Sequence, residues 1–165
     1  MGVSGSGKST LGALLAGRLG CDFIEGDGFH AREAVAKMRS GTPLDDQDRW
    51  PWLDRIGEAT CEAVRRDGIA VTACSALRRK YRDRLRQAIA APARFVLLEN
   101  VRDVILRRLD GRAGHFMPAS LLDSQFSALE RPSLDEGALR MSSDVAPEEL
   151  CHQALAWIQR ERVEL

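Results

Sequence analysis

GVSGSGKSTLGALLAGRLG spans residues 2–20 and sets Gly2, Gly7, Lys8 and Ser9 at the spacing G-x-x-x-x-G-K-[ST]. In that pattern glycines let backbone N–H groups wrap a phosphate chain, the lysine reaches the β- and γ-phosphates, and the hydroxyl binds Mg2+. Gly2, Ser4, Gly5, Ser6, Gly7, Lys8, Ser9 and Thr10 are the resulting nucleotide-binding candidates. Leu11, Leu14, Leu15 and Leu19 follow at helical spacing, so a helix begins here with the positive end of its dipole facing the anion. A chance glycine-serine turn has no need of that helix.

A loop of this kind hangs from a buried strand, and none is written before Gly2. Leaving out the central strand of a parallel sheet strands N–H and C=O groups on both neighbours, at about 1–3 kcal/mol each. Several such losses approach the whole ~5–15 kcal/mol stability of a domain. The expectation is therefore an internal methionine at Met1, with roughly five to ten further residues forming an apolar strand ahead of it.

Beyond the loop, short apolar runs alternate with amphipathic stretches. CDFIE (21–25), GIAVTAC (68–74) and ARFVLLEN (93–100) have the character of strands, with a weaker fourth in ALRMSS (138–143). Residues 51–66, 76–90, 101–109 and 119–129 have helical spacing, and Pro147, Glu148 and Glu149 suit the first turn of a last helix. Such alternation predicts a three-layer α/β/α domain with a parallel sheet. Gly111 and Gly114, set among Arg108, Arg112 and His115, suit a small lid over about 108–118.

Composition narrows the choice. A chain of 165 residues suffices for one well-buried domain and falls short of two typical ones. Lys plus Arg and Asp plus Glu both number 24, so no net field recruits nucleic acid or an acidic membrane. Cys21, Cys61, Cys74 and Cys151 are widely spaced, which suits reduced thiols in the cytoplasm rather than a disulfide framework or a zinc site. No apolar run reaches membrane-spanning length.

The acceptor of the phosphate must come from elsewhere in the chain. Asp27 and His30 follow the CDFIE run, at the strand end where open α/β sheets bind ligands. Asp27 is placed to take a proton from an acceptor hydroxyl or to hold a metal-bound water, while a plain turn aspartate reads equally well. His30 taken alone reads as an ordinary surface or core histidine. Asp45, Asp46, Asp48 and Arg49 read as a solvated loop. Arg78, Arg82 and Arg86 recur every four residues along one helical face, either solvated or clamping a carboxylate. Arg108 and Arg112 are placed to approach the charge that spreads over a transferring γ-phosphate.

Taken together, GVSGSGKST, EGDGFH, KMRSGTPLDDQDRWPWL, CSALRRKYRDRLR and GHFMPASLLDSQFSALERP closely resemble the gluconokinase family, small P-loop sugar-acid kinases related to shikimate and nucleoside-monophosphate kinases. The resemblance runs from Gly2 to about Pro132, with a fainter echo in SSDVAPEEL. It implies a P-loop NTPase fold and transfer of the γ-phosphoryl group of ATP to the 6-hydroxyl of D-gluconate. Lys8, Asp27 and Arg112 would be catalytic, with Asp27 activating the hydroxyl and Ser9 on Mg2+. His30, Arg49, Arg82, His115 and Gln125 would join Asp27 in lining the sugar-acid pocket, Arg108 and Arg112 would lie on the lid side, and Asp144 to Pro147 would lie near adenine. A cytoplasmic homodimer is implied as well. Ala34 departs from the asparagine common in the family, and GIAVTAC ends at Cys74-Ser75 without an acidic metal ligand, leaving Mg2+ to Ser9, ATP oxygens and water. The readings that compete are a kinase for another hydroxy acid such as shikimate, and a regulatory module that binds ATP without catalysis.

Overall fold

The computed structural model describes residues 1–110 and 119–163. Helix α1 (Lys8–Leu19) leads to β1 (Asp22–Glu25), a 3-10 turn at Gly26–Phe29, and α2 (Arg32–Arg39). The long α3 (Asp46–Asp67), β2 (Ala70–Ala73), α4 (Arg79–Ile89) and β3 (Phe95–Glu99) follow. Next come α5 (Arg102–Asp110), α6 (Ala119–Ala128), β4 (Ala138–Ser142) and α7 (Pro147–Val163).

The predicted strands and helices are present, with the starts of α3 and α4 displaced from residues 51 and 76 to Asp46 and Arg79. Helix α3 begins five residues before Pro51, because Asp45 and Asp48 exchange caps: the Asp48 N–H donates to Asp45 at 3.0 Å and the Asp45 N–H to Asp48 at 2.9 Å. The acidic stretch read as a solvated loop is thus a reciprocal N-cap, with proline tolerated inside the helix it opens. Lys37 of α2 pairs with Asp48 at 2.5 Å and ties the two helices together.

β1 pairs parallel with β2, and β3 parallel with β4. Helices α1 and α7 cover one face through Leu11, Leu15, Leu98, Met141, Leu150 and Ala154. α3 and α4 cover the other through Trp52, Leu53, Ile56, Tyr81, Leu85 and Ile89, giving the three expected layers. α3 and α4 approach closely at Gly57, where a Cβ would lie 2.2 Å from that of Ala88.

The parallel strands form two pairs, bridged among the described residues by Met1 and Gly2. The Met1 nitrogen donates to Val96 O at 2.5 Å, the Leu98 N–H donates to Met1 O at 2.9 Å, and the Gly2 N–H donates to Ser75 O at 3.1 Å. Below that bridge an apolar trough separates β2 from β3. Among the described residues no helix is long and apolar enough to cross a membrane. All four cysteines are free thiols. Most of the expected lid, residues 111–118, lies outside the described residues.

Candidate active site

The phosphate loop turns on glycines. Gly5 and Gly7 hold φ of 78° and 96°, a left-handed conformation that side-chain-bearing residues resist, and Gly7 caps α1 so that the helix points its free N–H groups into the loop. The Lys8 ammonium folds back to donate to Val3 O at 3.0 Å. The Ser4 N–H donates to Gln125 Oε1 at 2.7 Å, so a side chain of α6 caps the loop. The Ser6 hydroxyl is buried without a hydrogen-bond partner among the described residues. Ser9 and Thr10 are exposed on the first turn of α1.

On one side of the loop, Ser4, Lys8, Asp27, His30, Arg49 and Gln125 line a single pocket. The sequence reading singled out each of these six, and the fold brings them together from four separate stretches of chain. Ser75 and Ser124 line it too and were not singled out, although Ser75 stands at the strand end already known to face the ligand side. Met38, Leu44 and Leu121 give the pocket an apolar wall, and Ala34 packs behind them in the same cluster. Ala34 thus belongs to a dry α2–α6 contact, where an asparagine amide would need a partner.

His30 stacks on Trp52 with ring centroids 4.3 Å apart and planes 10° from parallel. Trp52 is fixed in turn by donating its indole N–H to Gly26 O at 2.8 Å. Burial pulls the His30 imidazole down to about 4, Asp27 opposing the shift and Arg49 and Arg55 adding to it. The ring is neutral at physiological pH, and its buried Nδ1 has no hydrogen-bond partner among the described residues. Arg49 donates to Leu44 O at 3.3 Å and lies over the Tyr81 ring, whose hydroxyl donates to Asp46 at 2.6 Å.

Arg82 is not in the pocket. Its side chain is 0% exposed; Nε and Nη2 donate to the two oxygens of Glu136 at 2.5 and 2.9 Å, and Nη1 faces Ala76 O, Leu77 O and Glu130 O. With its donors committed inside the protein, the sugar-acid role expected for Arg82 is corrected to a structural one: it fastens α4 to the segment before β4. Four-residue spacing had grouped it with Arg78, which is 39% exposed, but a guanidinium can be buried only where a carboxylate meets it.

Across the loop, Gly5, Gly7, Thr10, Arg108, Val145 and Pro147 border a second hollow of about 320 Å3. Arg108 donates to the Ser143 hydroxyl at 3.0 Å and to Ser143 O at 2.6 Å, and Asn100 donates to Asp144 at 2.8 Å. The turn before α7 is thereby held beside the loop. Arg112 and His115 lie outside the described residues.

Residues 1–132 match the family described as AAA domain. The thermosensitive gluconokinase of Escherichia coli K12 is 41% identical over 99% of this chain and 89% of its own length. The gluconokinase of Gluconobacter oxydans is 44% identical over 98% of this chain and 90% of its own. The chain belongs to the gluconokinase family. The solved gluconokinase of Sinorhizobium meliloti superposes with a TM-score of 0.86 at 42% identity, covering 97% of this chain and 89% of that one. An APS kinase of Mycobacterium tuberculosis, 16% identical with a TM-score of 0.63 over 96% of this chain and 94% of that one, shares the P-loop fold.

Proposed function

We propose that this chain transfers the γ-phosphoryl group of ATP to the 6-hydroxyl of D-gluconate, giving 6-phosphogluconate and ADP. The observation that carries the reading is one pocket holding Lys8 and Asp27 with Arg49 and His30. The loop amides and Lys8 bind the ATP phosphates, Lys8 exchanging Val3 O for a phosphate oxygen. Asp27 accepts the proton of the attacking hydroxyl, Arg49 meets the carboxylate of the acid, and neutral His30 and Gln125 hydrogen-bond the hydroxyls between. The enclosed part of the pocket is about 50 Å3, so a six-carbon acid also occupies its open side. Arg108 faces the nucleotide from the other hollow; on this reading Arg112 joins it in stabilising the transferring phosphate and His115 joins the residues that bind the acid.

Among the described residues no three His, Cys, Asp or Glu side chains gather into a cage for a metal. Donors of this kind suit Mg2+ carried largely by the nucleotide, with Ser9 as the protein ligand, and when bound the ion neutralises charge on the phosphates. On the same reading the protein works in the cytoplasm as a homodimer, with no nucleic-acid or membrane partner.

ADP release measured over a panel of sugar acids, with the product identified, tests the proposal. Turnover on gluconate far above that on shikimate is expected; comparable efficiency on both removes the assignment of substrate.

A further inference from the structure

Ser75 lies just past the end of β2 and lines the acceptor pocket with Lys8 and Asp27. Two ties set it between them. β1 and β2 run parallel with Glu25 opposite Ala73, so the chain leaving β1 at Gly26 and Asp27 runs beside the chain leaving β2 at Cys74 and Ser75. The approach is close enough that a Cβ on Gly26 would lie 2.4 Å from Ala73 O. On the other side, the Gly2 N–H donates to Ser75 O at 3.1 Å and joins it to the root of the phosphate loop.

The residue after it is strained. Ala76 is 1% exposed and holds φ of 42°, in the left-handed region that a Cβ resists. Such strain lasts only where surrounding contacts over-determine the backbone, and it gathers at functional sites. Arg82 supplies contacts from behind, its Nη1 facing Ala76 O and Leu77 O at 3.2 and 3.3 Å, while the Glu130 N–H donates to Leu77 O at 2.8 Å. The pocket side of the turn belongs to Ser75. A serine hydroxyl both donates and accepts, so it suits a neutral alcohol and adds no second charge beside Asp27. We infer that Ser75 hydrogen-bonds the acid at the hydroxyl next to the one that is phosphorylated, and so favours acceptors with two neighbouring hydroxyls at the reacting end. The inference rests on the proposed reaction, in which Asp27 takes the reacting hydroxyl and Arg49, on α3, holds the far carboxylate.

Ser75→Ala removes one hydroxyl from a partly buried side chain and spares the backbone bonds of the turn. It should lower kcat/KM for gluconate by about tenfold, with melting temperature and ATP affinity unchanged. The wild-type chain should lose a similar factor on 5-deoxygluconate, and the variant should lose nothing further on that acid, because both changes delete the same bond. Equal kcat/KM for variant and wild type on gluconate overturns the inference. So does a deoxy penalty as large in the variant as in the wild type, which is the pattern of a merely structural serine. If the wild type phosphorylates another acid of the panel in place of gluconate, the substrate assignment alone fails. The same comparison on that acid, and on its analogue lacking the neighbouring hydroxyl, then decides Ser75.

Discussion

At the scale of single residues, the proposed reaction divides the work on the acceptor between Asp27 and His30. Replacing Asp27 with Asn keeps the shape and removes the base, so turnover should fall by about 10²–10⁴-fold while ATP affinity stays within a few-fold. Steady-state kinetics together with nucleotide titration checks both halves. His30, held near 4, stays neutral across pH 5.5–7.5, a window in which an ordinary histidine titrates. Activity should accordingly show no His30 inflection in that range. Because its folded pKa lies below the ordinary 6.5, its contribution to stability is complete above 6.5 and is lost as pH falls towards 4. A His30→Gln variant should show a shallower loss of melting temperature between those values. The strand end marked both positions, but local pattern left Asp27 equally a turn residue and read His30 as an ordinary histidine, so their roles came from the family resemblance; the stack on Trp52 that neutralises His30 joins positions 22 residues apart and left no local sign.

Secondary-structure elements carried a different kind of signal. Apolar periodicity located β1 to β4 and α1, α4, α5, α6 and α7, because each buries one stripe or run against a neighbouring layer. It missed the start of α3, where polar residues form the boundary. Asp45→Ala removes the acceptor for the Asp48 N–H and should cost about 0.5–2 kcal/mol of stability, read from chemical denaturation. Arg49 sits one turn further on, so fraying of this cap should also raise the KM for the acid. Asp46→Ala, which spares the reciprocal cap, should instead act through Tyr81 and Lys80.

For the molecule as a whole, the Arg82–Glu136 pair matters most. The Arg82 guanidinium holds the Glu136 carboxyl down at about 2, against an ordinary 4.5, with the Ser133 N–H assisting and burial opposing. Its contribution is therefore present above pH 4.5 and disappears as pH drops towards 2. Arg82→Met leaves a buried carboxylate without its partner and should cost about 3–5 kcal/mol, whereas a substrate-binding arginine would alter KM and leave melting unchanged. No spacing rule pairs residues 82 and 136, which is why the sequence suggested a carboxylate clamp and the fold shows a rivet. The Gln125 side chain, finally, stands with its amide oxygen on the Ser4 N–H while lining the acceptor pocket. Should an acid settling against α6 change the affinity of the loop for an anion, thermodynamic reciprocity makes the factor the same in both directions.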